Sequence, residues 1–155
     1  MMWGGPSELI DILRATPEIL RTLTRTIDDE RARLAPDGEE WSVVEVVAHL
    51  ADVENRAIQR IHRIVTETEP VLERMQPAQL AVERGYRQQR LSEVIPRFEQ
   101  LRQERLRLLE SLPAEAWERT ARHVEHGVMT LYQLTVHMCQ HDVTHLAQIA
   151  RRIES

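Results

Sequence analysis

Three histidines spaced by four, His137, His141 and His145, stand in the run Thr130-Leu-Tyr-Gln-Leu-Thr-Val-His137-Met-Cys-Gln-His141-Asp-Val-Thr-His145-Leu-Ala-Gln-Ile149. Residues four apart sit one above the other on a helix, so one face can offer two imidazoles to one ion. A further histidine, His49, stands in a second helical segment, Trp41-Ser-Val-Val-Glu-Val-Val-Ala-His49-Leu. Three imidazoles from two packed helices make the smallest set that holds a divalent metal and leaves a coordination position open.

A helix turns by about 100° per residue, which assigns faces. With Leu134 at zero, Met138, His141, His145 and Ile149 fall within roughly 60°, on one apolar stripe; His137 lies roughly 60° to the side and Cys139 at about 140°. A lone inward histidine is usually a hydrogen-bonded core residue, but two neutral ones without partners would cost about 1–3 kcal/mol each, which a shared metal removes. His49 lies at the edge of its own core stripe, flanked by Glu45, Asp52 and Arg56. It is about two turns inside the start of its helix, and His141 and His145 are about three turns from the chain end, so antiparallel packing would bring the three together. Glu45, Asp52 and Asp142 are candidates to orient an imidazole from behind. Glu54 falls on an apolar face and needs a cation there. Arg102 and then Arg105 are the expected partners, in an ion pair that fixes helix register rather than a charge that anchors substrate. His62 reads as a surface residue; His123 and His126, in a loop near the cap of the fourth helix, could reach the site but read better as surface. Cys139 reads as a small buried apolar residue.

Four helices must position these groups. The first spans about Ser7 to Thr26, with a break or kink expected at Pro17, where Thr16-Pro17-Glu18 reads as a fresh helix start. The second runs from the Ser42/Glu45 capping box to Thr66, with a core stripe of Val43, Val46, Leu50, Val53, Ala57, Ile61 and Ile64. Ala35 to Gly38 is a loop. A long connection, Glu67 to Leu91, contains Pro70, Pro77 and Gly85 and a short helix at Pro77–Glu83; it is long enough to cross the bundle and let the second and third helices run parallel. The third helix covers Ser92 to Leu112. A second connection, Pro113 to Met129, holds one helical turn at Ala114–Arg119. The fourth begins at Thr130, with Gln133 as its box partner, and ends near Arg152. The expectation is a single all-α domain over residues 1–155, a four-helix bundle with a long crossover between helices 2 and 3. The fourth helix also shows a second apolar side, Tyr132, Val136, Cys139, Val143, Ala147 and Ala150, which needs cover from a connection or a partner; a homodimer is expected.

Composition narrows the partners. The net charge of −5 argues against nucleic acid. A single cysteine excludes an internal disulfide and fits a reducing compartment. No apolar run approaches the roughly 20 residues of a membrane span, and Met1-Met-Trp-Gly-Gly-Pro has no signal-peptide character, so the expected location is cytoplasmic.

The stretch Trp41-Ser42-Val-Val-Glu45-Val-Val-Ala-His49-Leu50-Ala-Asp52-Val-Glu54 resembles the W-S-x-x-E-x-x-x-H-L-x-D-x-E segment of DinB-like proteins. Gly127-Val-Met-Thr130-Leu131, with His141-Asp142-x-x-His145-Leu-x-Gln148-Ile149, resembles their final helix; Phe98-x-x-Leu101-Arg102 with Leu108-Leu109-x-x-Leu112 is similar to their third. The resemblance implies a four-helix bundle holding a divalent ion (Zn, Ni or Fe) through His49, His141 and His145; His137 has no place in the pattern. Relatives include S-transferases and isomerases that use low-molecular-weight thiols, and metal-dependent hydrolases. The implied function is a metal-dependent thiol S-transferase or hydrolase acting on a small molecule. The alternative is a non-catalytic, stress-associated metal-binding or interaction protein.

Overall fold

The computed structural model describes residues 4–35 and 40–154, so all but the first residue of the expected Ala35–Gly38 loop lies outside the described residues. In chain order the elements are α1 (Pro6–Thr24), the short α2 (Asp29–Ala32), α3 (Val43–Thr66), β1 (Val71–Leu72), α4 (Pro77–Glu83), α5 (Leu91–Glu110), β2 (Thr120–His123), β3 (Gly127–Thr130) and α6 (Leu131–Glu154). Turns of 3₁₀ helix cover Tyr86–Gln88 and Ala114–Glu118.

The four long helices form the bundle, and cross-contacts give their directions. Asp52 meets Arg97 and Glu54 meets Arg102, so α3 and α5 run parallel, as the long crossover allows. Arg14 meets Glu110 and Arg21 meets Glu99, so α1 is antiparallel to α5. Tyr132 bonds Gly4 and Asp142 bonds Thr16, so α1 is parallel to α6. Arg152 reaches the Trp41 carbonyl while His141 faces His49, so α3 and α6 are antiparallel.

Of the break or kink expected at Pro17, the break is absent: α1 runs through it. Proline removes the N–H that would have bonded the carbonyl four residues back, that of Leu13. A buried side chain replaces it: Arg102 Nη1 donates to the Leu13 oxygen at 2.7 Å. The helix survives because a tertiary donor satisfies the freed acceptor.

The sequence reading also had no strands. β2 and β3 form an antiparallel hairpin, and β1, from the long crossover, adds to β2 in parallel. Gly127, with φ of 74°, takes the left-handed conformation that lets the hairpin return within a few residues. β3 passes directly into α6, where the Thr130/Gln133 box closes in both directions: the Thr130 amide donates to Gln133 Oε1 at 2.9 Å and the Gln133 amide to Thr130 Oγ1 at 3.0 Å.

The crossover is held by acids of α3. Asp52 accepts from Arg84 and Arg97, each at 2.9 Å, and from the Tyr86 hydroxyl. Glu45 accepts from the Ser42 amide at 3.1 Å and from Arg87 at 2.9 Å. Part of the second apolar side of α6, which motivates the homodimer, lies against the N-terminal segment and α1: Cys139 is buried with Sγ 3.9 Å from the Leu9 carbonyl, and Tyr132 bonds Gly4. Ala147 is exposed. Val143, 62% exposed, remains open. Among the described residues no helix is long and apolar enough to cross a membrane.

Candidate metal centre

His49 from α3 and His141 and His145 from α6 converge, each offering a ligand atom within 4.8 Å of the others. His49 is 4% exposed, and the α6 pair is half-buried. The Nε2 atoms of His49 and His141 are 3.2 Å apart. Two nitrogens on a tetrahedral ion with bonds of 2.0–2.1 Å would be about 3.3 Å apart, so the spacing suits a shared ion. His145 Nδ1 lies 2.8 Å from Gln148 Oε1; as donor to that oxygen it leaves Nε2 free as a ligand. The Nδ1 atoms of His49 and His141 are buried without a hydrogen-bond partner. Rings so poorly satisfied by protein gain most from an ion on their other nitrogen.

Burial, then the neighbouring histidines, pushes the pKa of His49 down to about 3. Burial first and His145 second push His141 down to about 4, and burial lowers His145 as well. All three are neutral at pH 7, the form that binds metal. Residues lining a cavity of about 520 Å³ include the three ligand candidates, with Trp41, whose ring centroid is 5.0 Å from that of His49. Its walls are otherwise mostly apolar, among them Val53, Ile61, Ile64, Leu131, Leu134 and Met138. No carboxylate of the described residues lines it.

The expected supporting acids are elsewhere. Glu45 and Asp52 hold the crossover, and Asp142 is buried in an ionic cluster, where Arg102 grips it in a fork at 2.8 and 2.9 Å and Thr16 donates at 2.7 Å. Gln148 takes the role assigned to them, a residue in the quoted motif whose i, i+3 spacing from His145 was the available signal. The Glu54 pair is as expected: Arg102 at 2.8 Å and Arg105 at 2.9 Å, all three at most 2% exposed on their side chains. Burial alone would raise the Glu54 carboxyl, but Arg105 and Arg102 hold it below its ordinary value.

His62 is exposed, as expected. His126 is exposed as well and His123 half-buried, and both, with the exposed His137, line the same cavity. The rings of His123 and His126 stack at 4.7 Å, and His126 meets His137 edge-on at 5.1 Å. The β2–β3 hairpin places the first two there, and without that hairpin they read as loop.

Fold and centre define a class: helical bundles with a three-histidine group that fits a divalent metal. The chain belongs to the DinB superfamily, whose sequence profile matches residues 12–149. It is 30% identical over 148 residues, 95% of this chain and 83% of the relative, to a Geobacillus kaustophilus (strain HTA426) protein named "Putative metal-dependent hydrolase GK0616". Its fold is similar to that of YfiT from Bacillus subtilis, with a TM-score of 0.81, 22% identity and coverage of 96% of this chain and 87% of that one. YfiT is described as "a probable metal-dependent hydrolase with an unusual four-helix bundle topology". A Streptococcus pneumoniae protein shares the fold at a TM-score of 0.70 and 12% identity, over 99% and 91% of the two chains.

Proposed function

We propose that this protein is a metal-dependent enzyme acting on a small molecule, by hydrolysis or thiol S-transfer, with the ion held by His49, His141 and His145. The observation that carries it is the convergence of three neutral imidazoles on the wall of a largely apolar cavity. An ion bound there would act as a Lewis acid, lowering the pKa of a water or thiol beside it. Gln148 fixes the His145 tautomer, and Trp41 packs against the His49 ring and limits its motion. With no carboxylate of the described residues at the cavity, the side chains left to accept a proton are the imidazoles of His126 and His137. This favours a nucleophile acidic enough to need no strong protein base, a low-molecular-weight thiol, over water.

Elemental analysis of untagged protein should find one Zn, Ni or Fe per chain, and His141→Ala should lose it. Stoichiometric metal unchanged in that variant would overturn the assignment. Thiol conjugation and ester hydrolysis, each with and without chelator, then separate the two reactions; failure of both, with metal present, would return the protein to the non-catalytic reading.

A further inference from the structure

Arg56 and Arg60 lie seven and eleven residues beyond His49 on α3, and both line the cavity. At about 100° per residue these steps return to the same helix face, roughly 10 and 16 Å along the axis. Both are half-buried. Each donates to one acceptor, the Glu73 carbonyl oxygen, at 2.5 Å. Neither has a carboxylate within ion-pair distance among the described residues, and Arg56 Nε is buried with no hydrogen-bond partner.

Among the described residues, half-buried Arg33 also bonds only backbone carbonyls, and Arg102 and Arg105 also have a buried, unpartnered Nε. What sets Arg56 and Arg60 apart is that two guanidiniums share a single carbonyl in an acid-rich chain. It carries 25 acidic residues against 20 basic ones. Its fully buried arginines, Arg102 and Arg105, both have a carboxylate, and Arg63, the next cation on α3, has Glu67 at 3.0 Å. One backbone carbonyl does not neutralise two guanidiniums a turn apart. Burial, then Arg56 and Arg63, pushes Arg60 down to about 10, so the site disfavours its own charge. Charge left uncompensated at a half-buried wall is what an anionic ligand would relieve. His123 adds a donor. Its Nδ1 accepts from the amides of Glu125 at 3.1 Å and His126 at 3.3 Å, so the neutral ring carries its proton on Nε2.

We propose that Arg56 and Arg60, with His123 beside them, form an acid-binding subsite, and that the cavity takes a small organic acid whose carboxylate lies on the arginines and whose apolar body runs toward His49, His141 and His145. This rests on reading the cavity as the substrate site and adds the class of substrate. The length of the apolar wall between the arginines and the histidines calls for a body of several carbons.

The test is calorimetric titration of chelator-treated protein with octanoate and with octanamide, its uncharged counterpart. Octanoate should bind about tenfold more tightly, the worth of one charge-assisted hydrogen bond. Arg60→Met and Arg56→Met should bring octanoate down to the octanamide level and leave octanamide unchanged, which also shows that the cavity is intact. Equal binding of the two ligands by the unaltered protein would overturn the proposal. So would octanoate binding that appears only in a parallel titration with metal restored and survives both substitutions, since the carboxylate would then sit on the ion. Because the titration is done without metal, its failure leaves the three-histidine assignment standing, and loss of that assignment leaves the titration valid.

Discussion

Arg102 is a fully buried side chain held by four hydrogen bonds. Its Nη atoms donate to the Leu13 carbonyl, to Glu54 and to both oxygens of Asp142, at 2.7–2.9 Å. With Arg105 the cluster holds two cations and two anions, so its net charge is zero. Such a cluster contributes little against an apolar replacement of the whole, but removal of one member leaves charge buried. Arg102→Met should therefore destabilise the protein by about 3–5 kcal/mol in denaturant titration. A loss below about 1 kcal/mol would mean that water reaches the carboxylates. The histidines set a second expectation. In the metal-free folded chain His141 and His49 protonate at about 4 and about 3, whereas in the unfolded chain they take up protons at about 6.5. The unfolded state thus binds more protons as pH falls below about 6.5, and stability declines from there toward pH 4. His141→Ala should flatten the decline in melting temperature over that window when both proteins are measured with chelator; an identical slope would show that the ring is not buried as a neutral group.

At the scale of elements, α6 shows how far helical periodicity carries. The stripe Leu134, Met138, His141, His145 was correctly placed on one face, but that face is the cavity wall. Of that stripe, which runs on to Ile149, only Ile149 is fully buried; the tightly buried face is Leu131, Thr135, Cys139 and Asp142, which meets α1 through Asp142 and Cys139. A helical wheel orders residues around an axis without saying which neighbour lies on which side. The buried Glu54 was legible because a carboxylate in an apolar stripe demands a cation, and Arg102 stood at the right level. Asp142 was not, because it borders the histidine stripe and its partner crosses from another helix. The hairpin escaped notice because its strands have only four residues each, too few for alternation to register. Its junction with α6 is a single cap, and Thr130→Ala should cost about 1 kcal/mol. An unchanged melting temperature would mean that the hairpin alone fixes the start of α6.

The bundle as a whole was legible from helix number and connection length: a crossover from residue 67 to residue 90 makes parallel α3 and α5 feasible, and Asp52 and Glu45 then hold that crossover against α3. Less obvious is what the Arg102 cluster implies for the way the molecule opens. It takes Leu13 and Thr16 from α1, Glu54 from α3, Arg102 from α5 and Asp142 from α6. Detaching any one helix strands charge or a freed carbonyl in a dry interior, so partly open forms are penalised and the four helices should come apart together. In native-state hydrogen exchange, the most protected amides of α1, α3, α5 and α6 should share one opening free energy near that of global unfolding. Slow exchange confined to one helix pair, with α1 opening at much lower free energy, would refute this. The charged knot at the centre, though near neutral for net stability, thus makes the fold an all-or-none object.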